Sequence, residues 1–126
     1  MFIKNVEDLV IYQIALRLAS EVNELVQKIP HYWNNADVRQ VKRSSSSAPS
    51  NIAEGFGQRF YPKKYLYYLN IAKGSTDETK NHLKKLRNDG HLDTEVANAY
   101  IKKYTDLSVR TLNLINYIKK KHNILL

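Results

Sequence analysis

Residues 10–30 read VIYQIALRLASEVNELVQKIP, and the apolar positions that matter are Ile11, Ala15, Leu18, Val22, Leu25 and Ile29. Steps of four and three residues put all six on one side of a helix, because one turn takes 3.6 residues. The spacing predicts a helix over residues 6–29, with Asn5 as its N-cap and Pro30 as its stop. The same steps recur downstream. Val38, Val41, Ser45, Ala48 and Ile52 mark a second helix over 36–54. Tyr65, Tyr68, Ala72, Ser75, Thr79, His82 and Leu86 mark a third over 62–87. Ala97, Tyr100, Tyr104, Leu107, Thr111, Leu114 and Ile118 mark a fourth over 94–120, and the tail 119–126 is expected to fray.

Between these segments lie His31 to Asn35, then Gly55-Phe56-Gly57 with Pro62 after it, then Asn88-Asp89-Gly90 with Asp93 or Thr94 as a cap. Each holds residues that end or start a helix. Rods of roughly 30 to 40 Å joined this tightly must run against their neighbours. The chain, 1–126, is therefore expected to be a single all-α domain, an antiparallel up-and-down four-helix bundle. Small side chains at Ala48, Ala72, Gly74 and Ser75 should let the second and third helices approach closely. The second helix has two weak points. Ser44 to Ser47 resembles a linker by composition, and Pro49 removes a backbone hydrogen bond and should bend the rod.

Composition narrows the function. With 126 residues, 43% of them apolar or aromatic, there is material for one core. The absence of cysteine excludes disulfides, thiolate metal sites and cysteine nucleophiles, and fits a cytoplasmic setting. Glu7 and Asp8 interrupt the place of a signal peptide, and no stretch reaches the ~20 apolar residues of a membrane span. A soluble protein without a membrane partner is expected. The net charge is +8 and the pI about 9.6. Residues 1–30 hold three basic and four acidic side chains, against 17 and 8 in residues 31–126. Such a surplus attracts polyanions, and it also serves solubility alone.

On the third helix Lys73, Lys80, Lys84 and Arg87 recur at helical spacing, interrupted only by Asp77, and Lys103, Arg110 and Lys120 add charge on the fourth. These seven are the candidate nucleic-acid-binding residues, with a solvated lysine face as the plainer reading. Arg43, Asn51, Glu54, Ser75 and Glu78 are the candidates for a structural polar network tying the second helix to the third. No catalytic group, metal or cofactor is expected. His31, His82, His91 and His122 share no ligand face, and Glu78, four residues before His82, adds too little. Glu54 and Glu78 have no activated nucleophile or oxyanion cradle beside them. Gly55-x-Gly57 lacks both the strand before it and the Gly-Lys-Ser/Thr after it that a phosphate loop needs, and reads as a turn. Phe56, Phe60, Tyr61 and Pro62, interleaved with Arg59, Lys63 and Lys64, could stack bases, plug the bundle or meet another subunit. Tyr67 and Tyr117 fall off the seams, as suits a contact between copies.

Three ordered blocks then carry a family resemblance: Asp8-Leu9-Val10-Ile11-Tyr12-Gln13; Gln40-Val41-Lys42-Arg43 with Pro49-Ser50-Asn51-Ile52-Ala53-Glu54-Gly55-Phe56-Gly57; and Tyr68-Leu69-Asn70-Ile71-Ala72-Lys73-Gly74-Ser75 with Glu78. Together, from Val6 to about Ile118, they resemble the bacterial 23S rRNA intervening-sequence proteins. The resemblance implies a four-helix bundle whose proline-containing second helix stays helical. It extends to the accessory variability protein of diversity-generating retroelements, a basic pentameric barrel that binds nucleic acid and a reverse transcriptase. A homo-oligomer, specifically a pentamer, and a reverse transcriptase or ribosome-associated partner are thus implied by resemblance alone. The chain departs from the pattern at Ser44, Ser45 and Ser46, where small apolar residues are commoner. At Lys42 it replaces the usual arginine and loses its bidentate fork. The function expected is a non-enzymatic oligomeric scaffold that binds RNA or DNA. The alternative is a protein-interaction module with an acidic protein partner.

Overall fold

The computed structural model describes residues 3–125. Its helices are α1 (Val10–Gln27), α2 (Ala36–Gly57), α3 (Pro62–Asn88) and α4 (Thr94–Lys121), and among the described residues there is no strand. Polar pairs fix how the helices run. Asp37 meets His82, Arg43 meets Glu78 and Ser47 meets Ser75, so one number falls as the other rises and α2 and α3 are antiparallel. Asp77 with Ser108 and Arg87 with Asn98 show the same for α3 and α4. Each helix packs on the next, and α4 closes back on α1. The core draws Leu18 and Val22 from α1, Val41 and Ile52 from α2, Leu69 and Leu83 from α3, and Leu107 and Ile115 from α4. Each such side chain gains about 1.5 to 3 kcal/mol on burial, so packing rather than intrinsic propensity holds these rods together.

Several expectations are corrected. The first helix does not start at residue 6: Val6–Asp8 is a short 3-10 turn, Asn5 makes no side-chain cap bond, and α1 begins after an extended Leu9. The side chain of Gln13 bridges this break by donating to the Glu7 carbonyl at 2.7 Å. The buried sides are also wider than single seams. Val26 is fully buried while Leu25 is only half-buried, and Leu66, Leu69, Thr76, Leu83, Ser108 and Ile115 join the interior of α3 and α4. A helix in a ring of four touches two neighbours, so it buries more than one line of residues.

Gly55-Phe56-Gly57 does not end α2, which continues through Gly57. A Cβ on Gly55 would sit 2.9 Å from Tyr68 Cβ and 3.2 Å from Tyr65 Cδ1, so this glycine allows α3 to come close. Gly74, expected at that contact, is instead exposed with open space where a Cβ would stand. The tail does not fray from Lys119: α4 stays helical to Lys121, and the Ile124 amide returns to the Lys119 carbonyl at 2.8 Å. Leu126 lies outside the described residues. The turn after α3 closes as its sequence suggests, with Gly90 at φ +79° and the His91 amide donating to the Leu86 carbonyl. Asp93 caps α4 by accepting from the Val96 amide at 3.1 Å.

Candidate nucleic-acid interface

Along the α2–α3 contact, hydroxyl meets hydroxyl. Ser44 Oγ lies 2.6 Å from Thr79 Oγ1. Ser75 Oγ donates to Ser47 Oγ at 2.9 Å, and Asn51 Nδ2 donates to the same oxygen at 3.0 Å. Ser45 faces the other neighbour and accepts from Asn23 of α1 at 3.0 Å. The run that reads as a linker is thus a row of short side chains in which Ser44, Ser45 and Ser47 have partnered hydroxyls while Ser46 faces solvent, and it lets α2 sit close to both flanking helices. At the rim, Arg43 pairs with Glu78 and donates to Gln40.

Of the five expected network residues, Arg43, Asn51, Ser75 and Glu78 lie along this contact. Glu54 does not. It is exposed, eleven residues beyond Arg43, roughly 16 Å further along α2. Because Glu78 stands opposite Arg43, the same distance keeps the two glutamates from forming a carboxylate pair. His82 forms a contact the sequence reading did not find, with Nδ1 2.7 Å from Asp37 Oδ1 and Nε2 4.0 Å from Glu78. The antiparallel register was the available signal, since pairing Arg43 with Glu78 brings Asp37 to the turn that carries His82. Among the described residues, no group of three or more His, Cys, Asp or Glu side chains could hold a metal ion.

The cations divide. Lys73, Lys80, Lys84 and Arg87 follow one line of α3 beside α4, as their spacing requires. Asp77 interrupts the line and accepts from Lys73 at 2.9 Å and from Ser108 of α4 at 2.6 Å. Burial alone would raise its pKa, but these hydrogen bonds and the charges of Lys73 and Lys80 outweigh that and hold it below the usual carboxylate range. Lys73 is engaged in that pairing, and Arg87 holds Asn98 at 2.7 Å. Lys80 and Lys84 have no ion-pair partner among the described residues. Lys103 faces the other flank of α4, 3.9 Å from Glu21 of α1, and Arg110 pairs with Asp106 at 2.8 Å. Lys120 is exposed near the C-terminus of α4, at the opposite end of the bundle from Arg87. The seven candidates therefore do not make one surface.

Elsewhere α1 and α4 leave a groove of about 540 Å³ between them, with Ile14, Leu18 and Ala99 among its lining. Tyr100 Oη donates to Glu21 at 3.0 Å beside it. The Tyr104 hydroxyl is buried without a hydrogen-bond partner among the described residues. The aromatic cluster around the end of α2 is split: Phe56, within the helix, is buried, while Phe60 and Tyr61 beyond it stay exposed.

These features define a basic four-helix bundle with a polar α2–α3 contact and cations spread over several faces. The sequence model of the 23S rRNA-intervening sequence protein family matches residues 7–113, and the chain belongs to that family. Its fold is similar to the crystal structure of a protein of unknown function from the S23 ribosomal protein family of Bacteroides thetaiotaomicron. The two share 21% identity and a TM-score of 0.76 over 83% of this chain and 97% of that one. No curated protein matches the chain. No described helix is long and apolar enough to cross a membrane.

Proposed function

We propose that this protein is a non-enzymatic, cytoplasmic, oligomeric scaffold that binds nucleic acid, RNA before DNA, along the basic edge of α3. The observation that carries the reading is the line of Lys80, Lys84 and Arg87, whose neighbouring carboxylate, Asp77, is already engaged by Lys73 and Ser108. A polyanion laid along that edge meets cations beside a carboxylate whose charge is already offset by Lys73, and gains by counterion release. The family's name, which links it to insertions in 23S rRNA, supports RNA as the polyanion. Assembly is supported by Tyr67, 62% exposed on the outer side of α3, and by Gly74, two turns further along the same side. A glycine in mid-helix costs about 0.5 to 1 kcal/mol relative to alanine. Nothing inside the subunit needs it, whereas another copy packed there would. A closed ring of five is the specific assembly proposed, and it would let several weak patches act together. A reverse transcriptase or ribosome-associated partner rests on the family resemblance alone.

The test replaces Lys80, Lys84 and Arg87 by glutamate. RNA and DNA affinity should fall together, and the plot of log affinity against log salt should flatten by about 2 to 3 in slope. Melting and oligomeric state should stay near those of the parent. If the variant binds as tightly as the parent, the edge is a solvated face only. Parallel binding to an acidic protein at equal ionic strength separates the second reading, in which the same charge meets a protein partner.

A further inference from the structure

The end of the bundle that gathers the start of α1, the α2–α3 connection and the last turns of α4 holds a cavity of about 360 Å³. That volume falls in the range of pockets that take small organic ligands. Its walls include Phe60 and Arg59 from the connection, Tyr117 and Lys121 from α4 and His122 just after it. The two rings are open to solvent, Phe60 at 71% and Tyr117 at 60% exposure. Cations are already laid against rings here. The Arg59 guanidinium sits 4.1 Å from the centre of Phe56 and 4.7 Å from that of Phe60, anchored by a 2.9 Å hydrogen bond to the Phe56 carbonyl. Lys121 Nζ lies 6.0 Å from the Tyr117 ring centre. Among the described residues no carboxylate lines the cavity, and neither Arg59 nor Lys121 has an ion-pair partner. Phe56, Tyr65 and Ile118 are buried at this end of the bundle, whereas the Phe60 and Tyr117 rings are not used in closing it.

Resting on the nucleic-acid reading above, we infer that this cavity is a pocket for one unpaired nucleotide, its base stacked on Phe60 or Tyr117 and its phosphate held by Arg59 and Lys121. An aromatic face beside a fixed guanidinium suits a base whose own face is free, and bases within a duplex have both faces covered by their neighbours. The pocket is distinct from the α3 edge, which grips any phosphate backbone. The edge therefore supplies general affinity and the end cavity discriminates single-stranded from paired segments. Tyr117 acts here as a stacking ring and not as a contact between copies.

Binding of the full chain to a short labelled oligouridine and to an RNA duplex of equal length, at one salt concentration, tests this. Phe60→Ala and Tyr117→Ala should each weaken single-strand binding about tenfold or more, with duplex affinity unchanged within twofold, and Tyr117→Phe should bind as the parent does. Both side chains are exposed, so melting temperature should hold. Equal losses on both ligands, no loss on either, or a variant that changes oligomeric state would overturn the pocket. A parent that binds both RNAs with variants that bind equally well refutes the pocket alone. A parent that binds neither refutes the nucleic-acid reading together with it.

Discussion

Gly55 and Gly57 sit two residues apart and answer to different constraints. Gly55→Ala would drive a methyl to 2.9 Å from Tyr68 Cβ, whereas Gly57 has nothing within 4 Å. The first substitution should destabilise the fold by about 1 to 3 kcal/mol, as overpacking does, and the second should be neutral or slightly stabilising. Thermal melting of the two variants checks this, and equal effects would refute the close contact. Buried tyrosines set the alkaline limit. Burial pushes the Tyr65 phenol up to about 12, the nearby Arg59 charge only partly offsetting it. It raises Tyr104 further, with Glu21 and Tyr100 adding to the shift. A folded-state pKa above the unfolded value of about 10 means that this stability is intact below pH 10 and is lost as pH rises toward the folded values. Alkaline unfolding should thus begin above pH 10 and coincide with a late step in tyrosinate absorbance. Tyr104→Phe removes a hydroxyl that has no partner among the described residues, so it should cost no stability and add up to about 1 kcal/mol while shrinking that step.

Among the helices, α2 taught the least from its sequence and the most from its packing. Its apolar line, Val38, Val41, Ser45, Ala48 and Ile52, was legible because period alone reveals one face of a rod. The serines at 44 to 47 were ambiguous, since short hydroxylated side chains suit both loops and tight helix contacts, and only the facing Thr79 and Ser75 decide between them. For the same reason the carboxylates of the candidate network were hard to place. By type and motif Glu54 and Glu78 are equal candidates to pair with Arg43, and only the packing separates them, since Glu54 lies three turns away along the helix and Glu78 stands opposite. The bridge makes a measurable claim. Ser47→Ala leaves Ser75 and Asn51 each short of a bond and should cost about 1 to 3 kcal/mol. Adding Ser75→Ala should cost less than the sum of the two single changes, as a double-mutant cycle by denaturant titration would show. At the α3–α4 contact, Asp77 works in the acid range. Its depressed pKa means that the stability it contributes is present above the unfolded carboxylate value near 3.8 and is lost as pH falls through the lower folded one. Asp77→Asn should abolish that part of the acid transition.

For the whole molecule, the bundle was readable from four repeated patterns, whereas the surfaces were not, because a cation's spacing says which side of its own helix it occupies and not which helix stands beside it. Lys103 shows this, lying against Glu21 of α1 rather than beside α3, while Arg110 pairs within its own helix with Asp106, a contact that the spacing of four does make legible. Assembly is tested by light scattering after size exclusion: five copies are expected, a dimer or tetramer removes the ring, and a monomer at micromolar concentration removes association altogether. Gly74→Ala should raise the subunit's stability by about 0.5 to 1 kcal/mol while loosening that assembly. The groove between α1 and α4 has a bearing on motion. Among the described residues Glu21 receives both polar contacts across it, from Tyr100 and Lys103, whereas α2 and α3 interlock by several pairs along their length. When the bundle breathes, it should part first along this side. Amide protons of α1 would then exchange with deuterium ahead of those of α2 and α3, so that α1 behaves as a separately opening unit hinged on a persistent three-helix remainder.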